Sequence, residues 1–117
     1  MSILIVEDDD EIRELLAEML ADHGYPVRTA ADGAQALALL RQAPAPCLIV
    51  LDLMMPKMDG WSLRRTLLED PTLAGIPVVV LSGAADVGPA SAGLGAVRVL
   101  TKPVKWPTFL AVVREHC

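Results

Sequence analysis

Short, almost unbroken apolar runs alternate along this chain with stretches in which apolar residues recur every three or four positions. Ile3-Leu4-Ile5-Val6 is the first such run and predicts a buried strand. From Asp10 to His23, the residues Ile12, Leu15, Leu16, Met19 and Leu20 fall at helical spacing, and Gly24 stands where a helix stop belongs. Val27 to Ala30 predicts a weak second strand. Asp32-Gly33 opens a helix carrying Ala36, Leu37, Leu39 and Leu40, which the Pro-rich Ala43-Pro44-Ala45-Pro46 ends. Cys47-Leu48-Ile49-Val50-Leu51 is the clearest strand. A loop through Pro56, with Asp59-Gly60 as a turn and helix start, leads to a helix over Ser62 to Leu68. Pro77 to Leu81 and Val97 to Thr101 predict the fourth and fifth strands. The last helix starts near Pro107 and carries Phe109, Leu110, Val112 and Val113.

Apolar strands alternating with helices indicate a parallel sheet covered on both faces. The expectation is an α/β fold: a doubly wound, five-stranded parallel sheet of flavodoxin-like (βα)5 type, strand order 2-1-3-4-5. Residues 83 to 96 break the rhythm. Gly83, Gly88, Pro89, Gly93 and Gly95 crowd the place of the fourth helix. Each Gly costs roughly 1 kcal/mol in a helix interior and Pro about 3, so a short or irregular helix is expected there.

Length and composition narrow the picture. The chain has 117 residues, which fits one domain over residues 1–117. Hydrophobic residues make up 53% and aromatic ones only 3%, so the core is built from Ile, Leu, Val, Ala and Met. A net charge of −5 without a basic run argues against direct binding of nucleic acid or an anionic membrane. Charge or Pro interrupts every apolar run before it reaches membrane-spanning length, and no basic leader precedes Ile3. A cytoplasmic location is therefore expected. Cys47 and Cys117 are too few and too isolated for a zinc site, and the expectation is a reduced thiol pair rather than a disulfide.

In open α/β sheets, ligands bind outside the carboxyl ends of the strands. Glu7, Asp8, Asp9 and Asp10 follow the first strand, Asp52 the third, Ser82 and Gly83 the fourth, and Lys102 and Pro103 the fifth. These groups would converge on one shallow pocket. Clustered carboxylates repel one another unless a cation joins them. A hard divalent ion with oxygen ligands is the natural solution, and Mg²⁺ is the common one. Asp52 would be a nucleophile toward phosphorus, Lys102 a point charge for phosphoryl oxygens and Ser82 a hydrogen-bond donor. Asp9 or Asp10 is the expected cap of the first helix, where acids suit the macrodipole.

The chain resembles the response-regulator receiver domain, the CheY-like phospho-acceptor module of two-component signalling, over almost its whole length. Ile3 to Asp9 resembles the family's opening strand and acidic pair. Leu51-Asp52-Leu53-Met54-Met55-Pro56, followed by Met58-Asp59-Gly60, resembles the phospho-acceptor strand and its loop. Val80-Leu81-Ser82-Gly83 resembles the strand ending in the switch hydroxyl, and Thr101-Lys102-Pro103 the lysine-proline pair. Each motif is weak alone; four in order at family-like spacing are specific.

The resemblance implies that Glu7 and Asp8 form the acidic pair, with Asp8 the direct metal ligand. Asp52 takes the phosphoryl group and the Met54 carbonyl completes the protein ligands of Mg²⁺. Ser82 bonds the phosphoryl group, Ala84 lines the pocket mouth, and Lys102 contacts the phosphoryl group or Asp52. A cis bond before Pro103 would aim the lysine. The implied donor is a histidine kinase or phosphotransfer protein, and the implied receiver of the signal is a downstream effector. The domain would catalyse its own phosphorylation and slow dephosphorylation, without turning over a separate substrate. Whether phosphorylation drives a homodimer stays open. Two departures stand out. Val99 occupies a position where the family often has an aromatic switch residue, and a small β-branched side chain cannot swing as Tyr or Phe does. The weak fourth-helix region lies on the face that often meets the output partner. An alternative is a receiver-like interaction module that works without phosphorylation. An aspartate-nucleophile phosphatase is disfavoured, because Met54 stands where those enzymes carry a second acid.

Overall fold

A computed structural model describes residues 2–42, 44–52, 60–82, 98–101 and 105–117, and only the backbone of residues 60–62, 82, 98, 99 and 101. The elements run β1 (Ile3–Val6), α1 (Asp10–Asp22), β2 (Val27–Ala30), α2 (Gly33–Gln42), β3 (Leu48–Asp52), α3 (Gly60–Glu69), β4 (Val78–Ser82), β5 (Arg98–Thr101) and α4 (Trp106–His116). The strands form one sheet in the order β2-β1-β3-β4-β5, with every neighbouring pair parallel. The fourth helix, expected within residues 83 to 96, lies outside the described residues, as does Pro103.

Residues Leu48 to Leu51 are 0% exposed, which requires cover on both faces of β3. Successive side chains of a strand point to opposite faces, and two separate cores result. Ile49 and Leu51 pack with Leu4, Val6, Val78 and Val80 beneath α2 and α3, through Leu37, Leu40, Leu63 and Leu67. Leu48 and Val50 pack with Ile3, Ile5, Val79 and Leu81 beneath α1 and α4, through Leu16, Leu20, Phe109, Val112 and Val113. The doubly wound reading of the apolar pattern is thus realised by helices on either side of a parallel sheet.

The ends of α1 show how sequence sets the elements. Asp9 is the N-cap: its Oδ1 accepts from the backbone N–H groups of Glu11 at 2.9 Å and Ile12 at 3.1 Å. At the other end, the Tyr25 N–H donates to the Leu20 carbonyl at 3.1 Å, and the Gly24 N–H donates to that of Ala21 at 3.0 Å. Gly24 has φ +88°, so this is a Schellman stop that needs the residue it has. At the start of α2, Asp32 Oδ1 accepts from the Gln35 N–H, and Gln35 Oε1 accepts from the Ala31 N–H.

One expectation is overturned. Cys47 and Cys117 are joined in a disulfide, with their Cα atoms 5.6 Å apart. Cys47 precedes β3 at the amino-terminal edge of the sheet, and α4 ends at that same edge. Two positions separated by 70 residues therefore meet. Spacing along the chain carries no sign of that meeting; only the packing of α4 on the sheet creates it. Among the described residues, no helix is long and apolar enough to cross a membrane.

Candidate functional site

The carboxyl ends of β1 and β3 lie side by side, with Val6 in register with Leu51. Glu7 directly follows β1. Its backbone N–H donates to the Ala30 carbonyl at 3.1 Å, so the strand pairing continues to the pocket edge. Its carbonyl accepts from Arg13 Nη1 at 2.9 Å, and Arg13 also pairs with Asp10. The four consecutive acids thus have separate places. Asp9 caps α1, Asp10 holds Arg13, and Glu7 and Asp8 turn toward β3.

One oxygen each from Glu7, Asp8 and Asp52 lies within 4.8 Å of the other two. Glu7 is 0% exposed and Asp52 is 4% exposed, whereas Asp8 is open to solvent. The cluster therefore has a dry wall and a wet mouth. Three carboxylates at this separation repel one another, and the repulsion is strongest where water is excluded. Ligand oxygens about 2.0–2.1 Å from an octahedral Mg²⁺ stand roughly 3–4 Å apart. The donor set, all hard oxygens and partly open to water, fits such an ion after small side-chain rotations.

Of the other expected site residues, Ser82 closes β4. Its register partner is Thr101, and its chain neighbour Leu81 pairs with Asp52. The Ser82 backbone is thus at the same edge of the sheet as Asp52. The Ser82 and Val99 side chains, and Met54, Ala84 and Lys102 altogether, lie outside the described residues. Lys102 follows Thr101 directly in the chain. Sequence reading missed Arg13, whose guanidinium ties the Glu7 carbonyl to α1. Its position three residues after Asp10 was the available signal, being the spacing of neighbours on one helix face.

This fold and this acidic edge define a class. The response regulator receiver domain model matches residues 3–114, and the chain belongs to that family, the receiver domains of two-component systems. Among curated proteins, it is 42% identical over 116 residues to the response regulator PleD of Caulobacter vibrioides, covering 97% of this chain and 25% of PleD. It is 40% identical over 114 residues to RpaA of Synechocystis, described as a DNA-binding dual master transcriptional regulator, covering 96% of this chain and 47% of RpaA. The chain thus spans between a quarter and a half of these relatives. Among solved structures, the Vibrio cholerae chemotaxis protein CheY4 superposes with a TM-score of 0.88 at 29% identity, covering 99% of this chain and 98% of that one. The receiver domain of a Syntrophus aciditrophicus histidine kinase gives 0.88 at 35% identity, over 97% and 87% of the two chains.

Proposed function

We propose that this domain accepts a phosphoryl group on Asp52 and signals by the change that follows. The observation that carries the proposal is the convergence of Glu7, Asp8 and Asp52 within 4.8 Å at the carboxyl edge of a receiver fold. Glu7, Asp8 and Asp52, with the Met54 carbonyl, would hold Mg²⁺. Bound there, the ion supplies neutralising charge for the acceptor carboxylate and the incoming phosphoryl oxygens.

The donor is a phosphohistidine on a histidine kinase or phosphotransfer protein. An Asp52 carboxylate oxygen attacks phosphorus, an O–P bond forms as the N–P bond breaks, and the departing imidazole keeps the electron pair. Positioning and charge neutralisation do most of the work in such transfers. Ser82 donates a hydrogen bond to the phosphoryl group and Lys102 pairs with its oxygens. The acyl phosphate then favours one of two conformations because it bonds better in that one. Water later cleaves it, with the Met54 side chain shaping access. The output is a downstream effector protein or domain. We place the domain in the cytoplasm, and its charge of −5 supports action through protein contacts rather than direct nucleic-acid binding.

The test is intact mass after incubation with acetyl phosphate, with Mg²⁺ or with EDTA, for the natural chain and Asp52→Asn. A metal-dependent gain of one phosphoryl group, absent in the variant, is expected. A folded natural chain that gains nothing would overturn the reading and favour a phosphorylation-independent interaction module.

A further inference from the structure

We propose that the Cys47–Cys117 bond is a reversible redox latch, opened and closed in the folded domain, that sets how firmly the end of α4 is held to the sheet. The inference rests on the reading above in one respect: a two-component receiver works in a reducing compartment, where protein disulfides are mostly transient or sensing rather than permanent.

Three features support reversibility. The first is access. Cys47 is 9% exposed, whereas Cys117 is only half-buried after α4, so the Cys117 residue is the more open side of the bond. The second is provision for the reduced state. The Cys47 sulfur lies 3.3 Å from the Ser2 carbonyl oxygen. Once the bond opens, that oxygen is in place to accept from the Cys47 S–H, so reduction leaves no stranded buried donor. The third is the anchoring of α4 by other means. Phe109, Val112 and Val113 are buried against Ile3, Ile5, Leu48, Val50, Val79 and Leu81, so the helix has an apolar seat that does not depend on sulfur. The chain has two cysteines in all, which leaves this pairing without an internal competitor.

The chemistry is ordinary thiol–disulfide exchange with a dithiol reductant. One thiolate attacks Sγ of Cys117, the S–S bond breaks, and Cys47 leaves as a thiolate and takes a proton. The second thiol of the reductant then attacks the mixed disulfide and releases Cys117. Two electrons and two protons pass to the protein, and the reductant becomes a disulfide. Oxidation is the reverse. The helix end nearest the latch is freed first, while the sheet keeps its register.

The experiment equilibrates the 117-residue chain with graded mixtures of reduced and oxidised dithiothreitol. Samples are then alkylated for intact mass and pulsed for amide hydrogen exchange. The expected result is a reversible gain of two alkylated thiols without loss of the far-ultraviolet circular dichroism of the fold. Exchange across Trp106 to Cys117 should rise about tenfold or more, with β1 and β3 unchanged. Cys117→Ser and Cys47→Ala should both match the reduced natural chain under oxidising conditions. A bond that opens only in denaturant, reduction that unfolds the whole chain, or α4 exchange identical in both states would each overturn the latch. Acetyl phosphate added to the same samples separates the two proposals. Loss of the phosphoryl adduct with a working latch sinks only the acceptor role, and an adduct with an inert disulfide sinks only the latch.

Discussion

The two ends of β3 are built on opposite terms. At its start, Cys47 is buried and covalently tied to Cys117, with its N–H donating to the Ser2 carbonyl at 2.8 Å. At its end, Asp52 shares a small space with the like charges of Glu7 and Asp8. One end is arranged so that every neighbour supports the others. The other gathers three carboxylates, two of them buried. A strand five residues long joins them and is buried throughout. The lesson is that one short buried strand carries a covalent tie at its start and a cluster of acids at its end.

The contrast can be tested first in the apolar core that lies between the two ends. Phe109 is 0% exposed in the core beneath α1 and α4. Phe109→Ala should cost about 3–5 kcal/mol in urea denaturation, the usual range for emptying a buried aromatic site. A stabilisation by Mg²⁺, expected from the proposed site, should survive, because Glu7, Asp8 and Asp52 are unchanged. At the charged end the sign reverses. Asp8→Asn removes one of three crowded carboxylates and should raise stability by about 1 kcal/mol in EDTA, discounted for its solvent exposure. On the proposed metal site, Mg²⁺ should stabilise the natural chain and the Asp8→Asn variant should lose that gain. A drop in the EDTA midpoint would mean that the acids do not strain the fold.

The smallest effect sharpens the comparison with an acid on the Cys47 side. Asp70, between α3 and β4, accepts from the Thr72 hydroxyl at 2.7 Å and from its N–H at 2.9 Å. Those two hydrogen bonds, the hydroxyl first, hold its carboxyl below the usual range. A lowered folded-state value stabilises the fold above the unfolded value of about 3.9, and that contribution is lost as pH falls through the folded one. Asp70→Asn should therefore melt slightly below the natural chain at neutral pH, and the gap should close in acid. A gap that widens in acid would show that Thr72 does not act through the charged form.

Most of this was legible in the apolar pattern, for a physical reason. Parallel strands buried on both faces must be almost wholly apolar, so Ile3 to Val6 and Leu48 to Leu51 announce themselves. Their ends then locate the acids. The stop at Gly24 and a cap at Asp9 or Asp10 follow from local backbone needs, and the structure decides for Asp9. What was not legible came from meetings between distant segments. The disulfide depends on where α4 comes down. The grip of Arg13 on the Glu7 carbonyl depends on the turn between β1 and α1. Boundaries shifted by a residue or two for the same reason: Asp52 and Ser82 each join the end of a strand because a neighbouring strand is there to pair with them.

The register of the sheet also has a consequence for synthesis. β1 pairs with β3 across a separation of some 45 positions, the span of the contact between Ser2 and Cys47. Contacts that distant in sequence form slowly, because a long loop must close before any pairing rewards it. A chain emerging from the ribosome therefore carries Glu7 and Asp8 long before it has the strand that brings Asp52 to them. Until that strand docks, the acids are three ordinary charges in water. The acidic site comes into being together with the fold, and a half-made chain has no such cluster to offer.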